Sequence, residues 1–285
     1  MKLNFLFIFL TLFNCFQKNI GQLNLDQANI GVWLSSAAYC GKESYNNMIL
    51  DGPVSGFVIK DILYDPKSDV EGYIGILDYT KTIHIVFRGS SSIRNWIDDF
   101  EIKKINYKTF PQCNCEIHDG FYSAVLHLKD QTINTVKNLI NNYNYNVICN
   151  GHSLGASLTQ IMCMELEDVG IKTSVYNYGQ PRVGDENYAQ FSNSIIKDYY
   201  RFTHYKDSVP HVPPNEIGYY HSCGEIYEDY NGLLNECVLC EDPHCADQFK
   251  LIDTNIEDHL VYLGHKIDCN SSIKFISPPF FQQPS

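Results

Sequence analysis

The most informative feature of this sequence is the pentapeptide GHSLG at residues 151–155. The pentapeptide follows an apolar, strand-like run at residues 145–150 and precedes apolar side chains at helical spacing: Leu158, Ile161, Met162 and Leu166. A G-x-S-x-G pattern between a strand and a helix is typical of a tight turn whose glycines leave room for the neighbouring backbone. Such a turn lifts its serine clear of the backbone, so the sequence predicts Ser153 as a nucleophile at the end of a strand.

Strands and helices are predicted to alternate along the chain. β-Branched and aromatic runs predict strands at residues 54–63, 73–79, 81–89, 145–150, 173–178 and 199–205. Apolar spacing near 3.6 predicts helices at residues 24–39, about 121–143, after the GHSLG turn and at 187–196. This alternation indicates an α/β fold with a mainly parallel central sheet and helices on both of its faces. No linker-like change in composition divides the chain, so residues 22–285 are expected to form a single domain.

The first 21 residues are expected to be a signal peptide. One lysine precedes an apolar run at residues 5–13, which is too short for a bilayer that needs about 20 apolar residues. A buried N-terminal helix is the alternative for this run. Because no later stretch is long enough to span a membrane, the mature chain is expected outside the cell or in the lumen of the secretory or endolysosomal pathway. A net charge of −12 argues against nucleic acid as a partner, since binding phosphates takes clustered lysines and arginines.

Export would place the ten cysteines that follow residue 21 in an oxidising compartment. Cys149 and Cys163 lie within apolar strand and helix patterns, so both are expected to be buried free thiols. The other eight are candidates for disulfides whose connectivity the spacing leaves open. A zinc site is the alternative for four residues: Cys237, Cys240, His244 and Cys245. An exported chain favours disulfides there, and we expect neither a metal nor a cofactor.

The serine hydroxyl is a weak nucleophile, so Ser153 requires a base and a group that orients the base. In hydrolases with this turn, the acid and the histidine follow the serine in that order. Asp207 stands just beyond the strand predicted at residues 199–205, where parallel sheets place catalytic groups, and His259 lies near the C-terminus. We therefore predict a Ser153–Asp207–His259 triad. The backbone N–H of Leu154, at the start of the following helix, is predicted to stabilise an oxyanion.

Several motifs together resemble the fungal-type, class 3 lipase family of α/β-hydrolases, over residues 24–269. These motifs are FRGS at 87–90, SSIRNW at 91–96, HDGF at 118–121, GHSLG at 151–155, QPRVG at 180–184 and DSVP at 207–210. The resemblance implies the α/β-hydrolase fold and the same three catalytic residues. It also implies that Ser90 is the second oxyanion donor and that Cys40 pairs with Cys269.

The segment at residues 91–100 is similar to the helical lid of that family. Ile93, Trp96 and Ile97 recur at spacings of three to four residues, which gives a short helix one apolar face. Arg94 is expected to hold the lid through a carboxylate. Such a lid would cover the site in water and open onto a lipid surface, because exposing its apolar face to water is unfavourable. The alternative is that this face simply packs into the core.

The resemblance implies a secreted serine carboxylic-ester hydrolase, with a triacylglycerol lipase at a lipid–water interface as the first expectation. It extends to phospholipase A1, galactolipase and feruloyl esterase, so these remain alternatives for the substrate. A catalytically inactive binding module on the same scaffold is an alternative of a different class. The expected partner is a lipid or another ester substrate at an interface, and no protein partner is indicated.

Overall fold

A computed structural model describes residues 23–98 and 101–273 of the chain. The predicted signal peptide at residues 1–21 lies outside the described residues. Across the described ranges, no helix combines the length and the apolar character that crossing a bilayer requires.

Except for the short α2, which was not predicted, the α-helices lie close to the predicted positions. They are α1 (Leu25–Ala37), α2 (Lys42–Tyr45), α3 (Ile93–Asp98), α4 (Asp119–Tyr143), α5 (Leu154–Asp168) and α6 (Glu186–Ile195). Polar side chains start three of them by accepting a hydrogen bond from a backbone N–H of the first turn. These caps are Asn24 for α1, His118 for α4 and Asp185 for α6.

The strands follow the predicted order, with additional short strands. They are β1 (Val58–Asp65), β2 (Val70–Leu77), β3 (Thr82–Phe87), β4 (Lys104–Asn106), β5 (Glu116–His118), β6 (Asn146–His152), β7 (Thr173–Tyr178), β8 (Asp198–His204), β9 (Glu225–Glu228), β10 (Leu234–Glu236), β11 (Val261–Tyr262) and β12 (His265–Lys266). The sequence did not predict β9 or β10, because neither short segment shows an apolar alternation.

The central sheet has eight strands in the order β1-β2-β3-β6-β7-β8-β9-β10. Strands β3, β6, β7, β8 and β9 run parallel, while both edges of the sheet are antiparallel. The prediction of an α/β fold with a largely parallel centre is confirmed. Because the carboxyl ends of the parallel strands lie along the same edge of the sheet, the segments after β3, β6 and β8 leave the sheet near one another.

Helices cover both faces of the sheet, as predicted. Successive side chains of β6 point to opposite faces, so Val147 and Cys149 pack beneath α4 and α5. Between them, Ile148 packs on the other face with Val32 of α1. The nucleophile strand is therefore buried on both faces, which holds its C-terminal end in place.

All ten cysteines beyond residue 21 form disulfides. The pairs are Cys40–Cys269, Cys113–Cys115, Cys149–Cys163, Cys223–Cys240 and Cys237–Cys245. The expectation of free thiols at Cys149 and Cys163 is wrong, because α5 packs directly on β6 and brings the two sulfurs together. The apolar patterns indicated burial but not which buried residues face each other. These disulfides exclude the alternative of a zinc site, because Cys237, Cys240 and Cys245 are each bonded to another cysteine.

Replacing Cys40 and Cys269 together by serine is expected to lower the free energy of unfolding by roughly 2–5 kcal/mol. The bond joins residues 229 positions apart, and constraining so long a loop reduces the entropy of the unfolded chain. The matched control is Cys113→Ser with Cys115→Ser, where the bonded residues are two positions apart. This control is expected to lose clearly less stability in chemical denaturation. Equal losses from the two pairs would contradict the loop-closure argument.

Candidate active site

Ser153 lies in a strained turn between the end of β6 and the start of α5. Its backbone dihedrals are φ 60° and ψ −134°, a conformation that residues other than glycine rarely adopt. The turn needs glycine on both sides, because a Cβ at Gly151 would collide with the carbonyl oxygen of Gly155. A Cβ at Gly155 would collide with the carbonyl oxygen of Phe87 at the end of β3. The GHSLG pattern thus forms the strand-to-helix turn that the sequence predicts.

Asp207 follows β8 and is held by three hydrogen bonds. Its Oδ1 accepts from the backbone N–H of Val209 at 2.8 Å, and its Oδ2 accepts from Nδ1 of His259 at 2.8 Å. The hydroxyl of Tyr262 donates to the same Oδ2. Because a carboxylate accepts the bond at Nδ1, the imidazole of His259 carries its proton there and leaves Nε2 available as a base.

Ser153 and His259 lie in adjoining segments, but no hydrogen bond joins their side chains. The backbone N–H of Ser153 donates to the carbonyl oxygen of Tyr178. The residue after Tyr178, Gly179, lies directly against the His259 ring. Within the described ranges, the Oγ of Ser153 and the Nε2 of His259 are both buried without a hydrogen-bond partner. Bonds of this kind are often long in a site without substrate and tighten when substrate binds.

His152 holds the backbone of His259 in place. Its ring lies 4.2 Å, centroid to centroid, from the His259 ring, and its Nε2 is 2.8 Å from the His259 carbonyl oxygen. Burial lowers the pKa of His152 well below its usual value, so the ring is neutral. A neutral ring can donate from Nε2 to that carbonyl while Nδ1 accepts from the Tyr39 hydroxyl at 2.6 Å. Tyr39 therefore supports the His259 loop through His152.

Sequence reasoning assigned no role to Tyr39, His152 or Tyr262. Tyr262 follows His259 by three residues, and that spacing was the one available signal, because a tyrosine there can reach the same carboxylate. Tyr39 is 113 positions from His152, so no local pattern could have indicated their contact.

The predicted oxyanion donors flank the serine. Ser90 lies just beyond β3, and β3 pairs with β6 in parallel so that Phe87 is opposite Gly151. The chain after β3 passes close to the turn, since a Cβ at Gly89 would contact the Cβ of Ser153. Leu154 is the first residue of α5, where backbone N–H groups have no partner within the helix. Both residues therefore belong to segments that adjoin Ser153, and their role as oxyanion donors stays a prediction.

The predicted lid corresponds in part to α3, and residues 99–100 of the lid lie outside the described residues. Ile93, Trp96 and Ile97 are half-buried, whereas Arg94 is exposed. The Trp96 ring stacks on Phe121 with centroids 6.5 Å apart, so the apolar face contacts the hydrophobic core through Trp96. Arg94 and Ile97 line a cavity of about 370 Å³ with Ser208 and the loop that precedes His259.

The described residues after the lid are fixed to the start of α4 by His118. Its Nε2 is 2.5 Å from the carbonyl oxygen of Glu101, and its Nδ1 accepts from the N–H of Phe121 at 3.2 Å. Burial lowers the pKa of His118, which is consistent with a neutral ring that donates from Nε2. The HDGF motif thus anchors the segment that follows the lid.

Known proteins are similar to this chain in both sequence and fold. The family described as Lipase (class 3) matches residues 84–217. A lipase of Rhizomucor miehei is 34% identical over 204 residues, which cover 69% of this chain. The match spans only 56% of that relative's own length. Secreted mono- and diacylglycerol lipase A of Penicillium cyclopium is 32% identical over 226 residues, covering 74% of this chain and 72% of the relative.

The structural likeness covers most of the chain. The solved structure of the Rhizomucor miehei triacylglyceride lipase superposes with a TM-score of 0.79 at 29% identity. The match covers 86% of this chain and 96% of that structure. The eight-stranded sheet and the arrangement of its helices are those of the α/β-hydrolase fold. Together with its motifs and fold, these similarities show that the chain belongs to the class 3 lipase family.

Proposed function

We propose that this chain is a serine carboxylic-ester hydrolase, and specifically a triacylglycerol lipase that acts at a lipid–water interface. The observation that carries the proposal is the hydrogen bond between Asp207 and His259 beside the strained turn at Ser153. The names of the relatives support the substrate class, since one is a triacylglyceride lipase and another a mono- and diacylglycerol lipase.

In the proposed mechanism, Nε2 of His259 takes the proton from Ser153 as Oγ attacks the ester carbonyl. Backbone N–H groups of Ser90 and Leu154 stabilise the negative charge that develops on the carbonyl oxygen. Asp207 keeps the imidazole in the required tautomer and stabilises its protonated form. His259 then protonates the leaving alcohol, and water repeats the sequence on the acyl-enzyme to release the fatty acid.

We further propose that residues 1–21 are removed and that residues 22–285 act as one exported domain. The five disulfides support this proposal, because disulfides persist in oxidising compartments and are rare in the cytosol. The Penicillium relative is also described as secreted.

Ser153→Ala is expected to reduce ester hydrolysis by roughly 10⁴-fold or more, because the alcohol nucleophile is lost. The measurement is kcat/KM on a water-soluble short-chain ester, together with covalent labelling by a fluorophosphonate probe. Ser157→Ala is the matched control, since Ser157 lies one helical turn further along α5 and its Oγ donates to the carbonyl oxygen of Pro181. The control should keep both activity and labelling. An unlabelled native protein would favour the inactive binding module.

Asp207→Asn is expected to lower kcat by about 10⁴-fold, because the amide no longer holds His259 in the required tautomer. Tyr262→Phe is expected to cost only about tenfold, since it removes one of the three hydrogen bonds to the carboxylate. Both are measured on the soluble ester, with thermal unfolding to verify the fold. A larger loss from Tyr262→Phe than from Asp207→Asn would contradict the assigned roles.

The rate on a partly soluble triacylglycerol is expected to rise steeply once its concentration passes the solubility limit. The reason is that the apolar face of α3, now packed on the core, can leave it at low cost only where lipid replaces water. Initial rates across the limit measure this effect, and a phospholipid, a galactolipid and a feruloyl ester serve as comparison substrates. A flat rate across the limit, with faster turnover of the feruloyl ester, would reject the lipase in favour of the soluble-ester alternative.

A further inference from the structure

A row of exposed and half-buried apolar side chains lies beside the candidate active site. We name it the apolar ridge, and its members are Tyr205, Tyr230, Phe249, Leu251 and Ile252. Ile252 is 90% exposed and Tyr230 is 76% exposed, although isoleucine is among the residues most often buried. The ridge is continuous at its aromatic end, because the Tyr205 ring lies 5.4 Å from the rings of both Tyr230 and Phe249.

The ridge lies at the edge of the sheet where the candidate catalytic residues meet. Tyr205 directly follows β8 and precedes Asp207 by two residues. At the other end of the ridge, Leu251 lines the cavity that Arg94 and Ile97 of α3 also line. The ridge therefore borders the lid without being part of it. Tyr230, Leu251 and Ile252 are exposed while Trp96 of α3 is packed on the core.

The charges around the ridge do not favour an anionic surface. Lys206 is near the ridge, with its Nζ 5.5 Å from the centre of the Tyr205 ring and 5.3 Å from that of Phe249. Lys250, between Phe249 and Leu251, is exposed. The exposed acid Asp253 follows Ile252 directly, and the exposed Glu257 lies five residues beyond Ile252. These two lysines and two acids balance, while the whole chain carries a net charge of −12. The net charge of the chain disfavours a surface of acidic headgroups, whereas an uncharged surface would accept the apolar side chains and the amphipathic tyrosines.

We propose that the apolar ridge docks the protein on the surface of uncharged acylglycerol before the lid opens. The proposal rests on the proposed function, which supplies the reason for this lipid. Ile252 and Leu251 enter the acyl region, while the hydroxyls of Tyr205 and Tyr230 stay at the level of the ester groups. The ridge then holds α3 against the lipid, where its apolar face can leave the core without meeting water.

The experiment measures adsorption to emulsified droplets of a long-chain triacylglycerol in the Ser153→Ala background, so that the droplets are not consumed. Ile252→Ser combined with Tyr230→Ser is expected to weaken adsorption about tenfold or more, since each side chain loses favourable burial in the lipid. Added salt is expected to change this difference little, because the contact is apolar.

The matched control is Leu25→Ser combined with Tyr79→Ser. Leu25 is 54% exposed and Tyr79 is 65% exposed. Both lie near the start of the parallel strands, at the far end of the sheet from the candidate site. There, residues 24 and 26 line a cavity together with Tyr79 and the first residue of β6. The control is expected to adsorb like its parent. With Ser153 restored, both double variants are expected to keep the parent's kcat/KM on a water-soluble ester.

Equal adsorption of the ridge variant and the control would overturn the proposal. A loss seen only on anionic phospholipid vesicles at low salt would also overturn it, because the contact would then be electrostatic. So would a matching fall in turnover of the soluble ester, which would mean that the substitutions had damaged the site. Droplet adsorption is measured without hydrolysis, so a chain that adsorbs through the ridge but hydrolyses no acylglycerol would reject the proposed function alone.

Discussion

The rest of the structure depends on the close approach of three backbone segments at Ser153. The end of β3, the turn itself and the first residues of α5 meet so closely that neither Gly151 nor Gly155 could carry a side chain. This contact holds the serine at a positive φ, a conformation that an isolated peptide would avoid. Burial of β6 on both faces supplies the stability that maintains the strain, so packing far from the serine determines its geometry.

The histidine, by contrast, lies in a loop with little regular structure, and side chains from neighbouring strand ends position it. Nε2 of His152, in β6, lies 2.8 Å from the carbonyl oxygen of His259. Nδ1 of His204, in β8, lies 2.8 Å from the carbonyl oxygen of Asp258. Glu228 of β9 accepts from the N–H of Leu263 at 2.8 Å. Three parallel strands thus hold one loop from the same edge. Because these anchors come from distant parts of the sequence, the predicted catalytic histidine can belong to a single short 3-10 turn and still face Asp207.

Two apolar surfaces meet at this edge of the sheet, and they differ in how they are covered. The face of α3 is half-buried, because Trp96 stacks on Phe121 and packs on the core. The apolar ridge carries Ile252 in nearly full contact with solvent. Under the proposed function, a partly covered surface beside an exposed one would separate attachment to lipid from opening of the site. The first requires no change of conformation, while the second replaces core contacts by contacts with lipid.

The sequence by itself determined the strands and helices whose apolar patterns are long, as in β3, α4 and α5, because those patterns are local. It also indicated Ser153, since the GHSLG turn is encoded within a few residues. Only the tertiary structure decided the pairing of Cys149 with Cys163, the short strand β9 and the support that Tyr39 gives to His259. Each of these depends on which buried groups face one another across large separations in the chain. Side-chain type and spacing predict burial, but the packing of helices on the sheet decides the partners.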